Sequence, residues 1–83
     1  MDAEPVGKII HYFEHLGVAV LKIDSGSLME GDEIQIKGAT TDFKQKIESM
    51  QIEHSKVEEA NAGDEVGLKV KERVRQHDVV YKV

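Results

Sequence analysis

The chain contains no cysteine and no tryptophan, a single proline, and only two tyrosines and two phenylalanines. Without cysteine there is no disulfide, no thiolate metal site and no thiol nucleophile. Packing and backbone hydrogen bonds alone must hold the fold, which suits a reducing compartment, and the cytoplasm is the expected location. No run approaches the roughly 20 apolar residues that a membrane span needs. The opening Met1-Asp2-Ala3-Glu4-Pro5 has neither the basic region nor the apolar run of a signal peptide. No G-x-x-x-x-G-K-[ST] phosphate loop is present, so nothing cradles a nucleotide triphosphate and no GTPase chemistry is expected.

The 83 residues carry a net charge of −5. A chain of this length makes one domain, burying about 60% of the surface its unfolded form exposes, with no room for a deep pocket. The acidic balance argues against general DNA or RNA binding, which rests on neutralising phosphates. The charge is uneven, however. From Lys69 to Val83, five bases (Lys69, Lys71, Arg73, Arg75 and Lys82) face only Glu72 and Asp78, leaving +3 there and −8 on the preceding 68 residues. Such a cluster is either a solvated surface or a docking patch for RNA or an acidic protein.

Seven glycines punctuate short apolar runs rich in valine and isoleucine, the signature of an all-β domain. Residues 1–5 read as a tail and residues 6–83 as the domain. Strand one is expected at Val6–Tyr12 and strand two at Gly17–Ile23. In strand two, Val18 and Val20 alternate with Ala19, Leu21 and Ile23, so both of its faces are apolar and call for cover. Asp24 to Glu30 reads as loop and Gly31-Asp32 as turn. Strand three, Glu33–Lys37, has a clean period of two, with Ile34 and Ile36 facing inward. After the Gly38–Thr41 turn, the stretch Asp42–Glu53 changes phase: Phe43 and Ile47 share one parity, Met50 and Ile52 the other. A strand with a β-bulge gives that shift; an amphipathic helix through Ile47, Met50, His54 and Val57 is the rival. The final strands are expected around Val66, Leu68 and Val70 and at Asp78–Val83.

Three pieces occur in order: Gly7-Lys8-Ile9 with Gly17-Val18-Ala19-Val20, then Leu28-Met29-Glu30-Gly31-Asp32-Glu33-Ile34, then Ala60-Asn61-Ala62-Gly63-Asp64-Glu65-Val66-Gly67-Leu68 followed by Asp78-Val79-Val80. The third is the most specific, with Asp64 placed to bond the backbone of its own turn and Gly67 placed for a close backbone approach. This order resembles the second domain of elongation factor Tu and is similar to the accessory C-terminal domain of collagenase-like peptidases. The resemblance implies a small closed antiparallel β-barrel of six or seven strands. It also implies that Ile47–Gln51 belongs to a long bent strand rather than a helix. In the elongation factors this barrel helps hold the aminoacyl end of tRNA and touches the small ribosomal subunit. The acidic residue of that tRNA pocket is replaced here by Gln51, so the resemblance carries the fold across and not that activity.

No side chains point to catalysis. His11, His15, His54 and His77 are expected at the surface or half-buried, because strand and turn positions do not converge as ligands on a helix do. No metal and no cofactor are therefore expected. Glu58-Glu59, Asp32-Glu33 and Asp64-Glu65 are neighbours on strands or turns and read as solvated. Ser25, Ser27, Ser49 and Ser55 have no evident base beside them. Phe43 and Tyr81 suit the core or its rim, whereas Tyr12 or Phe13 is a candidate contact anchor. The expected function is a non-enzymatic interaction module docking to a protein or ribonucleoprotein through Lys69, Lys71, Arg73 and Arg75 with Met50, Gln51 and His54. RNA or ribosome binding connected to translation is the alternative. Neither DNA nor a membrane is an expected partner.

Overall fold

The computed structural model describes residues 4–83. They form ten strands and no helix: β1 Glu4–Phe13, β2 Val18–Ile23, β3 Ser27–Met29, β4 Glu33–Lys37, β5 Asp42–Lys46, β6 Met50–Ile52, β7 Ser55–Val57, β8 Glu59–Asn61, β9 Glu65–Lys69 and β10 Val79–Lys82. Eight of them build one antiparallel sheet in the order β5-β4-β10-β1-β2-β9-β6-β7, and β3 pairs with β8 as a separate ribbon. The large sheet curls around the core without closing, since β5 and β7 are both edges. The expected closed barrel of six or seven strands is thus corrected to an open half-barrel built from more and shorter strands. The amide of Gln45 spans part of the gap: its Nε2 donates to the Lys69 carbonyl (2.9 Å) and its Oε1 accepts from the Lys71 N–H (2.9 Å).

Alternation explains the inner surface. Ala19, Leu21 and Ile23 on β2, Ile34 and Ile36 on β4, and Val66 and Leu68 on β9 all point into one cluster. Leu28 and Ala60 from the ribbon close the cluster on another side, and both are fully buried. The central strand β1 carries two irregularities, between Pro5 and Gly7 against β10 and between Ile9 and His11 against β2. The second shifts the phase by one residue. Ile9 and Tyr12 therefore both serve the core, while His11 and Phe13 turn outward. Gly7 has no alternative: a Cβ there would overlap the Lys22 carbonyl oxygen of the neighbouring strand.

Three sharp turns launch β4, β9 and β10 with one shared geometry. In Met29–Asp32, Asn61–Asp64 and Arg75–Asp78, the first carbonyl accepts from the aspartate N–H (3.0, 3.0 and 3.1 Å). The aspartate carboxylate in turn accepts from the N–H of the first residue (2.9, 2.8 and 2.9 Å). The expected Asp64 turn bond is one of these. The third residue has positive φ in each, at 95° for Gly31, 96° for Gly63 and 78° for His77. Asp78 is the buried member of the trio, and a Cβ on Gly38 would collide with its carboxylate.

The phase change in Asp42–Glu53 is real, but no bulge and no helix produces it. β5 and its pairing with β4 end at Lys46, and Ile47 drops into the core, exchanging backbone bonds with Asp32 and Gly31. Met50 then begins β6 against Leu68 of β9. One expected long strand is two strands with different partners. The stretch expected as loop from Asp24 to Glu30 contains β3, and β7 and β8 occupy residues 55–61.

Candidate interaction surface

The outer face of β1, β2, β9 and β6 follows from the pairing register. His11, Val20, Gly67 and Gln51 form one row across the four strands, and Phe13, Val18 and Lys69 form the next. In the middle of the first row stands a residue without a side chain. The result is a shallow groove of about 690 Å³ over this face, floored by Val18, Val20 and Gly67. Phe13, Leu16 and Ile52 give it apolar walls; Phe13 is 44% exposed and Leu16 61%. The His11 and Phe13 rings meet edge to face with centroids 4.4 Å apart, which steadies the Phe13 wall. Glu53, Asp64 and Glu65 line the groove as well, and no lysine or arginine does.

The Gly67 position is not forced by crowding. A Cβ there would lie 3.6 Å from Val18 Cγ1 and 3.7 Å from the Gln51 carbonyl, which is ordinary contact. The close backbone approach expected at Gly67 is therefore absent, and the glycine instead leaves the groove open. Across the groove, the β6–β7 hairpin turns through Glu53 and His54, with φ of 50° and 66°. Two consecutive positive φ values suit Asn-Gly, and here two ordinary residues adopt them at the groove wall.

The sequence-derived contact set divides over this surface. Gln51 and His54 line the groove. Met50 is 0% exposed and packs inside the sheet, so it is a core residue in place of the expected contact residue. Its alternation with Gln51 across the β6 pleat is the reason. Lys69 pairs with Val18 at the groove's end, and its ammonium lies 3.4 Å from the Leu16 carbonyl. Lys71, Arg73 and Arg75 lie in the connection from β9 to β10, where Val70 and Val74 point inward and the bases outward. Arg73 reaches Glu14 Oε1 at 3.4 Å with both side chains largely exposed, a pair contributing little to stability. Lys46, Lys69 and Lys71 rim a second, smaller depression of about 350 Å³ beside Gln45 and Glu48.

Of the aromatics, Phe43 is in the core, Tyr12 packs half-buried against it, Tyr81 on β10 is half-buried, and Phe13 is exposed. The histidines lie on separate elements, and no group of three or more His, Asp or Glu side chains converges as a metal site among the described residues. The signal for the groove was present in strand two, whose second apolar face has no covering layer among the described residues.

The folds and sequences of known proteins agree with this architecture. The C-terminal domain of a U32 peptidase from Geobacillus thermoleovorans superposes with a TM-score of 0.89, covering 96% of this chain and 92% of that one, at 24% identity. Its selenomethionine variant superposes equally well, also with a TM-score of 0.89. A collagenase of Porphyromonas gingivalis is 47% identical over 78 residues, and a protease of Methanocaldococcus jannaschii is 36% identical over 77. The chain spans only about a fifth of those two relatives, 22% and 19% of their lengths. The family described as elongation factor Tu domain 2 matches residues 17–75, from the glycine that opens β2 through β9 to Arg75. With most of its length inside that match, and with the turns and strand order that accompany it, the chain belongs to the elongation factor Tu domain 2 family.

Proposed function

We propose that this domain is a non-catalytic docking module and that the groove over β2, β9 and β6 is where it takes hold of a protein partner. One observation carries the reading: an apolar strip of Phe13, Leu16, Val18 and Val20 lies on the outside of a sheet whose core is already complete on the inside, with Ile52, which packs against that core, at its edge. Contiguous exposed apolar surface around a preformed depression is what interfaces use. The likeness to the C-terminal domain of a U32 peptidase, and to one fifth of a collagenase, supports a module that works beside a larger catalytic body and does no chemistry itself.

The test uses two exposed wall residues. Phe13→Ser and Leu16→Ser should each cost less than about 1 kcal/mol of stability, because neither side chain belongs to the core. Both should abolish co-purification with the native partner. Retention of the partner by the folded double variant would sink the groove as the contact surface.

A second reading rests on a different observation, the exposed row Lys69, Lys71, Arg73 and Arg75. It gives an anionic partner such as RNA or a ribonucleoprotein, held by a contact that weakens steeply with salt. Charge reversal at Arg73 and Arg75 separates the two, since it removes that contact and leaves the groove intact.

A further inference from the structure

The groove's charge narrows the chemistry of its occupant, an inference that rests on the docking reading above. Glu53, Asp64 and Glu65 all line it, and its lining contains no lysine or arginine. Asp64 has one carboxylate oxygen committed to the Asn61 N–H at 2.8 Å, and Glu53 and Glu65 are exposed. Lys22 stands opposite Glu65 in the β2–β9 register and offsets part of that one charge. Lys69 lies at the far end, directed to the Leu16 carbonyl. An apolar floor with carboxylates along one side repels phosphate and acidic peptide alike. It attracts an apolar side chain that has a cation beside it.

The geometry points to an extended protein segment in which a bulky apolar residue is flanked by lysine or arginine. The apolar side chain sits over Gly67, in the gap left between Val20 and Gln51, and the flanking cations face Glu53 and Glu65. Gly67 is then the specificity-determining position, because it is the one place in the row where the floor drops to backbone.

Amide chemical-shift titration of the labelled domain tests this with three probes: a short peptide alternating arginine with leucine and phenylalanine, its counterpart with glutamate for arginine, and a single-stranded RNA oligonucleotide. The basic apolar peptide should shift Val18, Val20, Gly67 and Gln51, binding roughly tenfold or more tighter than the acidic one. Gly67→Val should erase those shifts while preserving the rest of the spectrum, because its Cβ meets only ordinary contacts and its methyls project into the open groove. Glu53→Gln with Glu65→Gln should bring the two peptides to equal affinity. Tighter binding of the acidic peptide at the same residues would overturn the inference and leave the docking reading standing. Groove shifts absent with both peptides would overturn the inference, and RNA shifts centred on the groove would overturn the docking reading with it.

Discussion

His77 offers a stability test whose sign can be worked out from geometry. It fills the third position of the Arg75–Asp78 turn with φ of 78°, where the two equivalent turns have Gly31 and Gly63. A left-handed conformation costs an L-residue about 1–2 kcal/mol relative to glycine. Replacing His77 by glycine removes that strain and adds about 0.5–1 kcal/mol of unfolded-state entropy. The net for His77→Gly is a gain of about 0.5–1 kcal/mol, or about 2–8 °C in Tm for a domain of this size. The gain survives the substitution because the contact to the rest of the domain is backbone: the His77 N–H donates to the Ile9 carbonyl at 2.8 Å, and the side chain is exposed. Thermal and urea unfolding by circular dichroism give the number. Gly63→Ala is the mirror experiment, expected to lose about 1 kcal/mol from the same geometry. Destabilisation by His77→Gly would refute the equivalence of the three turns.

Other expectations follow from the same packing. Asp78→Ala should cost about 1–3 kcal/mol in urea unfolding, since it leaves the Arg75 N–H without its acceptor in a partly buried site. Leu28→Ala, which opens a cavity where the ribbon meets the sheet, should cost about 2–5 kcal/mol. Gln45→Ala should lose about 1–2 kcal/mol and speed amide exchange at Lys71, whose N–H is held by the Gln45 side chain. Glu53→Asn combined with His54→Gly should raise Tm by relieving the two-residue turn while weakening binding of the basic apolar peptide, because a groove carboxylate is lost.

Period and punctuation made much of this fold readable in advance. β2, β4 and β9 lie where alternation put them, and two of the three aspartate turns announce themselves as Gly-Asp. The third was hidden because His77 stands where glycine would signal a turn. Short ribbon strands such as β3 and β8, three residues each, carry too few side chains for a period to emerge. The phase change near Ile47 was visible, but alternation reports which face a residue takes and not which strand it pairs with. A break with a change of partner therefore looked like a bulge. The same limit applies to closure, because the open edges at β5 and β7 depend on the curl of the whole sheet. At the candidate surface, Gln51 and His54 were legible as outward residues, whereas Met50 sits one residue along the pleat and falls inside. The groove was foreshadowed by the second apolar face of β2. Its depth comes from Gly67, which lies opposite Val20 through a register that sequence does not state.

The groove itself is most directly tested by a photo-crosslinking residue placed at position 16, on its wall, with the same residue at position 39, in the exposed turn between β4 and β5, as control. In the native host the position-16 protein should yield one discrete protein adduct that disappears in the Gly67→Val background, and the position-39 protein should yield none. Equal crosslinking from both positions, or an adduct at position 16 that persists in folded Gly67→Val, would contradict docking through the groove.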